Sequence, residues 1–224
     1  MTSFIRRETK FERGLHSLWF WFPLLLFLFA YPLVRSVGRQ LPPPNPELGT
    51  LPSFQLTNQF GKAFGSSDLK GRAYLANFAF TACPTTCPAL MQNLQRVQKR
   101  IRGLGQKVAI VTFSVDPVND RPEVLFKHAQ KYKANPYVWS FLTGEKAEIQ
   151  KLLIEGFKVP MGEQEEFVGK VDGEDISLFD IAHTTKLVLV DGVGGIRGYY
   201  STDKQGINDL MIDLGLLVNR ELSL

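Results

Sequence analysis

The sequence predicts an α/β domain, a central mixed sheet flanked by helices, preceded by a single transmembrane helix. Three observations predict it. An uncharged apolar run lies near the N-terminus, and beyond it near-continuous apolar strands alternate with amphipathic helices. The chain has 224 residues, 44% of them hydrophobic and 21% charged, which suits one ordinary folded domain with an appendage and excludes wholesale disorder. Two cysteines are too few for a multi-disulfide framework or a four-cysteine zinc site.

Charge excludes a further class. Lys and Arg number 26 against 22 Asp and Glu, a formal net charge of +4. Arg6, Arg7, Lys10, Arg13, Arg35 and Arg39 fall before Thr50, with only Glu8, Glu12 and Glu47 to offset them. The excess therefore belongs to the N-terminal end. The remainder is nearly neutral and lacks the basic stripe that a phosphate backbone requires, so no nucleic-acid partner is expected.

Residues 1–17 form a basic segment and residues 18–34 an anchor. From Leu18 to Val34 no charge interrupts the chain, and as a helix this stretch spans about 25 Å. Trp19 and Trp21 at one end and Tyr31 at the other suit the membrane interface, and Pro23 and Pro32 lie near the ends. No small-x-small cleavage site follows and Arg35 comes directly after Val34, so a retained anchor is expected rather than a cleaved signal. Glu8 and Thr9 after Arg6-Arg7 argue against a twin-arginine signal. Four basic residues precede the run and two follow, which places the N-terminus in the cytoplasm and the domain outside it. An anchor this close to the N-terminus leaves no room for a mitochondrial presequence. The expectation is a single-pass protein of a bacterial cytoplasmic membrane with a periplasmic domain. Residues 35–52 carry five prolines within Pro42–Pro52 and read as a semi-rigid polyproline II spacer.

The domain occupies residues 53–224. Phe54–Thr57 and Lys62–Phe64 flank a short turn and read as a hairpin. Ala73–Phe80 is a near-continuous apolar run, as in a strand buried on both faces. After Pro88 a helix is expected, with Leu90, Leu94, Val97 and Ile101 on one face, ended by Gly103 and Gly105. Val108–Val115 is a second buried strand. Pro122–Tyr132 and Glu145–Phe157 read as helices around a short strand, Val138–Leu142. Thr185–Val190 and Ile196–Tyr200 flank a hairpin turn, Asp191–Gly195. A last helix carries Ile207, Leu210, Met211, Leu214, Leu217 and Val218. This order is that of a thioredoxin-like domain. Gly162–Asp180 is read as a long polar insertion.

Both cysteines sit in Phe80-Thr-Ala-Cys83-Pro-Thr-Thr-Cys87-Pro88, between the first buried strand and the first long helix. Ligands bind at the carboxyl ends of strands in open α/β sheets. Cys87, beside a helix start, should feel the amino-terminal dipole, which favours thiolate. Of the three histidines, His16 precedes the membrane run and His128 reads as a solvated helix face. His183 stands at a loop-to-strand junction that, in a thioredoxin-like sheet, abuts the cysteine loop. Two thiolates and an imidazole form a soft three-ligand set suited to copper, Cu(I) above all, with Cu(II) accepted given extra ligands. Zinc normally wants a fourth protein ligand. The same thiols can instead exchange with a partner disulfide, or be plain buried thiols, and the residues do not choose among these.

The chain resembles the Sco/SenC family of membrane-anchored copper chaperones. The resemblance rests on Cys83-Pro-Thr-Thr-Cys87-Pro, Ser114-Val-Asp-Pro117 followed by Asp120-Arg-Pro-Glu123, Leu142-Thr-Gly144, and Ala182-His183-Thr before the strand ending at Val190-Asp191. It implies one copper ion held by Cys83, Cys87 and His183. It further implies delivery of copper to, or reduction of cysteines in, the dinuclear copper site of cytochrome c oxidase subunit II, or service to another copper-receiving protein. Thr85 stands where the family often has an acidic residue, Ala182 where it often has Asp, and Arg121 where Thr is usual. Asp116 closes a buried strand near the expected site, where it either orients the copper loop or caps the turn before Pro117. The competing reading is a membrane-anchored thiol–disulfide oxidoreductase, against which stand the three residues between the cysteines and the absence of a proline beside His183.

Overall fold

The computed structural model describes residues 18–37, 45–83, 86–158 and 186–221. The chain divides into two compact units, Met1–Pro42 and Pro43–Leu224. In the first, helix α1 (Leu18–Val37) keeps its run of Leu and Phe because no polar face competes for it. The side chains described, from Trp21 to Arg35, are all exposed. Phe27 and Tyr31 stack one turn apart, and Arg35 donates to the Tyr31 hydroxyl. Among the described residues no helix is long and apolar enough to cross a membrane.

The second unit is built on an eight-stranded sheet. Its strands are β1 (Gly49–Thr50), β2 (Gln55–Asn58), β3 (Ala63–Gly65), β4 (Ala73–Ala79), β5 (Val108–Ser114), β6 (Trp139–Thr143), β7 (Lys186–Val190) and β8 (Gly195–Ser201). They lie in the order β1-β8-β7-β4-β5-β6-β2-β3. β4, β5 and β6 run parallel, while β7 is antiparallel to β4 and β2 to β6. The helices are α2 (Thr86–Arg100), α3 (Pro122–Lys131), α4 (Lys146–Lys151) and α5 (Lys204–Glu221).

Every residue of β4 and β5 is buried. Side chains alternate between faces, so a strand covered on both sides is apolar at most positions, and buried polar exceptions find partners, as Asn77 does on the Val111 carbonyl and Thr112 with the Trp139 indole. On one face Leu75, Ala79 and Ile110 pack with Leu90, Leu94, Leu125, Leu210 and Leu214 from α2, α3 and α5. On the other, Tyr74, Ala76, Phe78, Val111 and Phe113 pack with Ile149 and Phe157. Phe157 lies edge-on to both Phe78 and Phe113, at centroid distances of 5.1 and 5.2 Å.

Several boundaries differ from the sequence reading, for local reasons. α2 begins at Thr86, so Pro88 is its third residue, still within the first turn, where no helical partner exists for an amide. A 3₁₀ segment, Ile101–Lys107, prolongs α2 before β5. The expected helix Glu145–Phe157 is α4 followed by a π-helical stretch, Leu152–Phe157, which ends at Lys158 in the left-handed region. The spacer expected over residues 35–52 is fastened to the domain from Asn45 onward. β1 pairs with β8, the Leu48 and Leu51 amides donate to Ile196 and Gly194 carbonyls, and Asn45 donates to Asp213 at 2.8 Å. The segment Gly162–Asp180 lies outside the described residues.

Candidate metal centre

The parallel pairing of β4 with β5 sets Ala79 against Ser114, so both strands leave the sheet side by side. Two loops follow. One, after β4, carries Cys83; the other joins β5 to α3 and carries Asp116 and Asp120. The antiparallel register of β7 with β4 brings Val188 opposite Ala76, so Lys186 begins its strand at the end of the sheet where β4 finishes.

A tight turn, in which the Cys83 amide donates to the Phe80 carbonyl at 3.3 Å, lifts the chain off β4. α2 then starts at Thr86, and the amide of Cys87 donates to Sγ of Cys83 at 3.5 Å. A helix leaves its first N–H groups without carbonyl partners, and here one finds a sulfur. The amino-terminal dipole expected to act on Cys87 thus meets the sulfur of Cys83 through the Cys87 amide. Both cysteines are thiols, 7% and 2% exposed, set in the same cluster as Leu90, Met91 and Leu94.

Asp116 and Asp120 divide the roles that the sequence left open at Asp116 alone. The Asp116 carboxylate accepts from Asn119 Nδ2 at 2.8 Å, and its carbonyl accepts from the amides of Asn119 and Asp120. Those bonds are those of a turn cap. Asp120 is fully buried. Its carboxylate accepts from the Thr81 amide at 3.2 Å, from the Thr81 hydroxyl, and from the Ser114 hydroxyl at 2.6 Å. Among the described residues no Lys or Arg pairs with it. Asp120 therefore joins the loop after β4, the end of β5 and the start of α3. Sequence reasoning gave Asp120 no role of its own, because nothing within Asp120-Arg-Pro-Glu123 tells that Thr81 and Ser114 cover its carboxylate.

His128 is half-buried, not solvated. Its ring lies 4.9 Å from that of Tyr132 and edge-on to Phe141 at 6.0 Å. Burial lowers its pKa; the Asp120 carboxylate pulls it back up and Lys131 adds a smaller lowering. His183, the third expected ligand, lies outside the described residues, as do Thr85, Ala182 and His16. Among the described residues no three of His, Cys, Asp and Glu gather closely enough to hold a metal ion. The two thiols by themselves supply a soft donor pair, which fits Cu(I) better than a hard cation.

Fold and loop together define a mixed α/β, thioredoxin-like domain with two thiols at the carboxyl ends of its central parallel strands. The chain belongs to the SCO1/SenC family, whose profile matches residues 44–214. It is 33% identical over 193 residues to the SCO1 protein homolog of Bacillus subtilis, covering 85% of this chain and 91% of that one. Among solved structures it is similar to BsSco, described as a member of the Sco family of cytochrome c oxidase assembly proteins with a disulfide switch. There the identity is 30%, the TM-score 0.64, and the coverage 79% of this chain and 98% of that one. It is also similar to ScoI of Bradyrhizobium japonicum, solved with copper bound, at 25% identity and a TM-score of 0.53. That match covers 75% of this chain and 99% of the other.

Proposed function

We propose that this protein is a copper-binding metallochaperone that assists assembly of the dinuclear copper site of cytochrome c oxidase, with Cys83, Cys87 and His183 as ligands to one copper ion. The observation that carries it is the placement of both thiols on one turn at the carboxyl end of β4, with the Cys87 amide aimed at the Cys83 sulfur. Copper is cargo, so the site must be both soft and releasable. Thiolates supply the softness, and a ligand from a separate segment lets the set open. His183 precedes Lys186 by three residues, and Lys186 stands at the end of the sheet from which the cysteine loop departs. Membership of a family with a copper-bound member supports the same reading.

The domain is held outside the cytoplasm by α1. The uncharged run Leu18–Val34 and the asymmetry of its basic flanks, four residues before it against Arg35 and Arg39 after it, support this topology. A C-terminal reporter fusion should be active only when exported; activity confined to the cytoplasm overturns the topology.

Titration of the reduced full-length protein with Cu(I) and with Cu(II) tests the site. One equivalent should bind, and Cys83→Ser, Cys87→Ser and His183→Ala should each abolish tight binding. Full retention in the His183→Ala protein rejects the three-ligand set.

The same thiol pair favours a second reading, reduction of cysteines in the receiving protein. Cys83 thiolate attacks the partner disulfide and releases one partner thiolate, and Cys87 displaces the second. The partner gains two thiols while this chain gains a Cys83–Cys87 disulfide, so the electrons balance. Turnover of a disulfide substrate by the metal-free protein separates the two.

A further inference from the structure

We propose that Asp120 is the positioning residue of the copper loop: a buried carboxylate that holds Thr81, two residues ahead of Cys83, against the end of β5. The inference rests on the reading that Cys83 and Cys87 hold the metal. Three observations carry it. Asp120 is 0% exposed, and no cation compensates its carboxylate among the described residues. Taking such a group from water costs several kcal/mol unless its lone pairs are filled, so its donors must be held in place for it to persist. Those donors are the amide and hydroxyl of Thr81 and the hydroxyl of Ser114.

A carboxylate can only accept. Both hydroxyl protons are therefore committed inward, which fixes the rotamers of Thr81 and Ser114 and leaves the Ser114 oxygen to accept from the Asp116 amide at 3.1 Å. The relay runs from the β5–α3 turn through Ser114 and Asp120 to the backbone of Thr81. From there the only chain before Cys83 is Ala82, in the turn closed by Cys83 N–H on the Phe80 carbonyl. Releasing Asp120 frees the sulfur of Cys83 to drift from the Cys87 amide without disturbing the strands below.

Two measurements test this together. The first is amide hydrogen exchange of the reduced, metal-free, full-length protein. Asp120→Ala should speed exchange at Thr81, Cys83 and Cys87 while amides of β7 and of α5 keep their rates. The second is Cu(I) retention against a chelator. Asp120→Ala should weaken it by roughly 10–100-fold, as loss of a supporting hydrogen bond around a metal typically does. Asp120→Asn, which keeps the shape and one of the two acceptor oxygens, should lose less than Asp120→Ala. Thr81→Val, which removes one donor and nothing else, should fall between, and it keeps the test alive if Asp120→Ala does not fold. Unchanged loop exchange and unchanged retention in Asp120→Ala or Thr81→Val overturn the proposal. So does uniformly faster exchange throughout the protein, which marks a purely structural role. A wild-type protein that binds no copper rejects the ligand set instead, and the exchange data still decide Asp120.

Discussion

The amide of Cys87 points at the sulfur of Cys83 across 3.5 Å, so the first turn of α2 directs its positive end at the other cysteine. That arrangement favours negative charge on Cys83 and makes it the sulfur that attacks first. With a small alkylating agent at neutral pH, the Cys87→Ser protein should be modified at Cys83 faster than the Cys83→Ser protein at Cys87. Equal rates would show that the helix end confers no preference.

Asp116 should be nearly dispensable. It closes a turn through Asn119, and nothing among its hydrogen bonds reaches the cysteine loop except through its amide, which any residue retains. Asp116→Ala should cost about 1 kcal/mol in urea unfolding and leave Cu(I) retention unchanged. A large loss of copper in that protein would transfer to Asp116 the role assigned to Asp120.

Arg197 and Asp191 form a different sort of pair. The Asp191 carboxylate is buried, accepts from the Val193 and Gly195 amides, and meets the Arg197 guanidinium at 2.6 and 2.8 Å. Arg197→Ala strands that carboxylate and should cost roughly 3–5 kcal/mol. The double variant Arg197→Met with Asp191→Asn should recover part of it. Thermal unfolding of the wild type and these two variants checks this, and a small cost for Arg197→Ala would show that water reaches the carboxylate.

His128 gives the fold a pH dependence. Burial lowers its pKa in the folded protein, so between the ordinary value near 6.5 and the lowered one the unfolded chain holds the extra proton. Stability contributed by neutral His128 is complete above about pH 6.5 and is lost as the pH falls below it. The unfolding midpoint should drop between pH 7.5 and 5.5, and less steeply in His128→Asn. The comparison is of slopes, since lost packing against Tyr132 and Phe141 shifts the Asn variant at every pH. Parallel slopes would assign the titration to another group.

Anchoring of the N-terminal strap can be measured separately. Asp213 accepts from Asn45 at 2.8 Å and from the Tyr200 hydroxyl at 2.7 Å, and burial and that carboxylate push the Tyr200 phenol well up. Asp213→Ala should cost about 1–3 kcal/mol and make the chain near Asn45 the first site of limited proteolysis. Unaltered proteolysis would mean that β1 alone holds the strap.

Sheet and helices were legible because burial writes a period into the sequence. β4 and β5 are apolar at most positions since both faces are covered, with Asn77, Thr112 and Ser114 the buried polar exceptions, and α2 with the turn after it shows an inward row of Leu90, Leu94, Val97 and Ile101. The cysteine pair announced itself by chemistry. Asp120 did not, because whether a carboxylate lies in water or under a loop depends on residues distant in sequence, here Thr81 and Ser114. His128 was misread for the same reason: its helical position looks outward, but Phe141 arrives from another strand to cover it. The strap was hidden by its prolines, which report a stiff extended chain and say nothing of what that chain lies against.

The strap also bears on how molecules meet one another. An open sheet invites a foreign strand at each border, where amides and carbonyls stand unmatched. Here the shortest strands occupy both borders, two residues in β1 and three in β3. Beyond β1 the strap continues along β8, where the Asn45 carbonyl takes up the Arg197 guanidinium. Copies of the domain that meet edge to edge would thus find little backbone to zip onto, and the residues that fasten the strap also guard the sheet against a foreign strand.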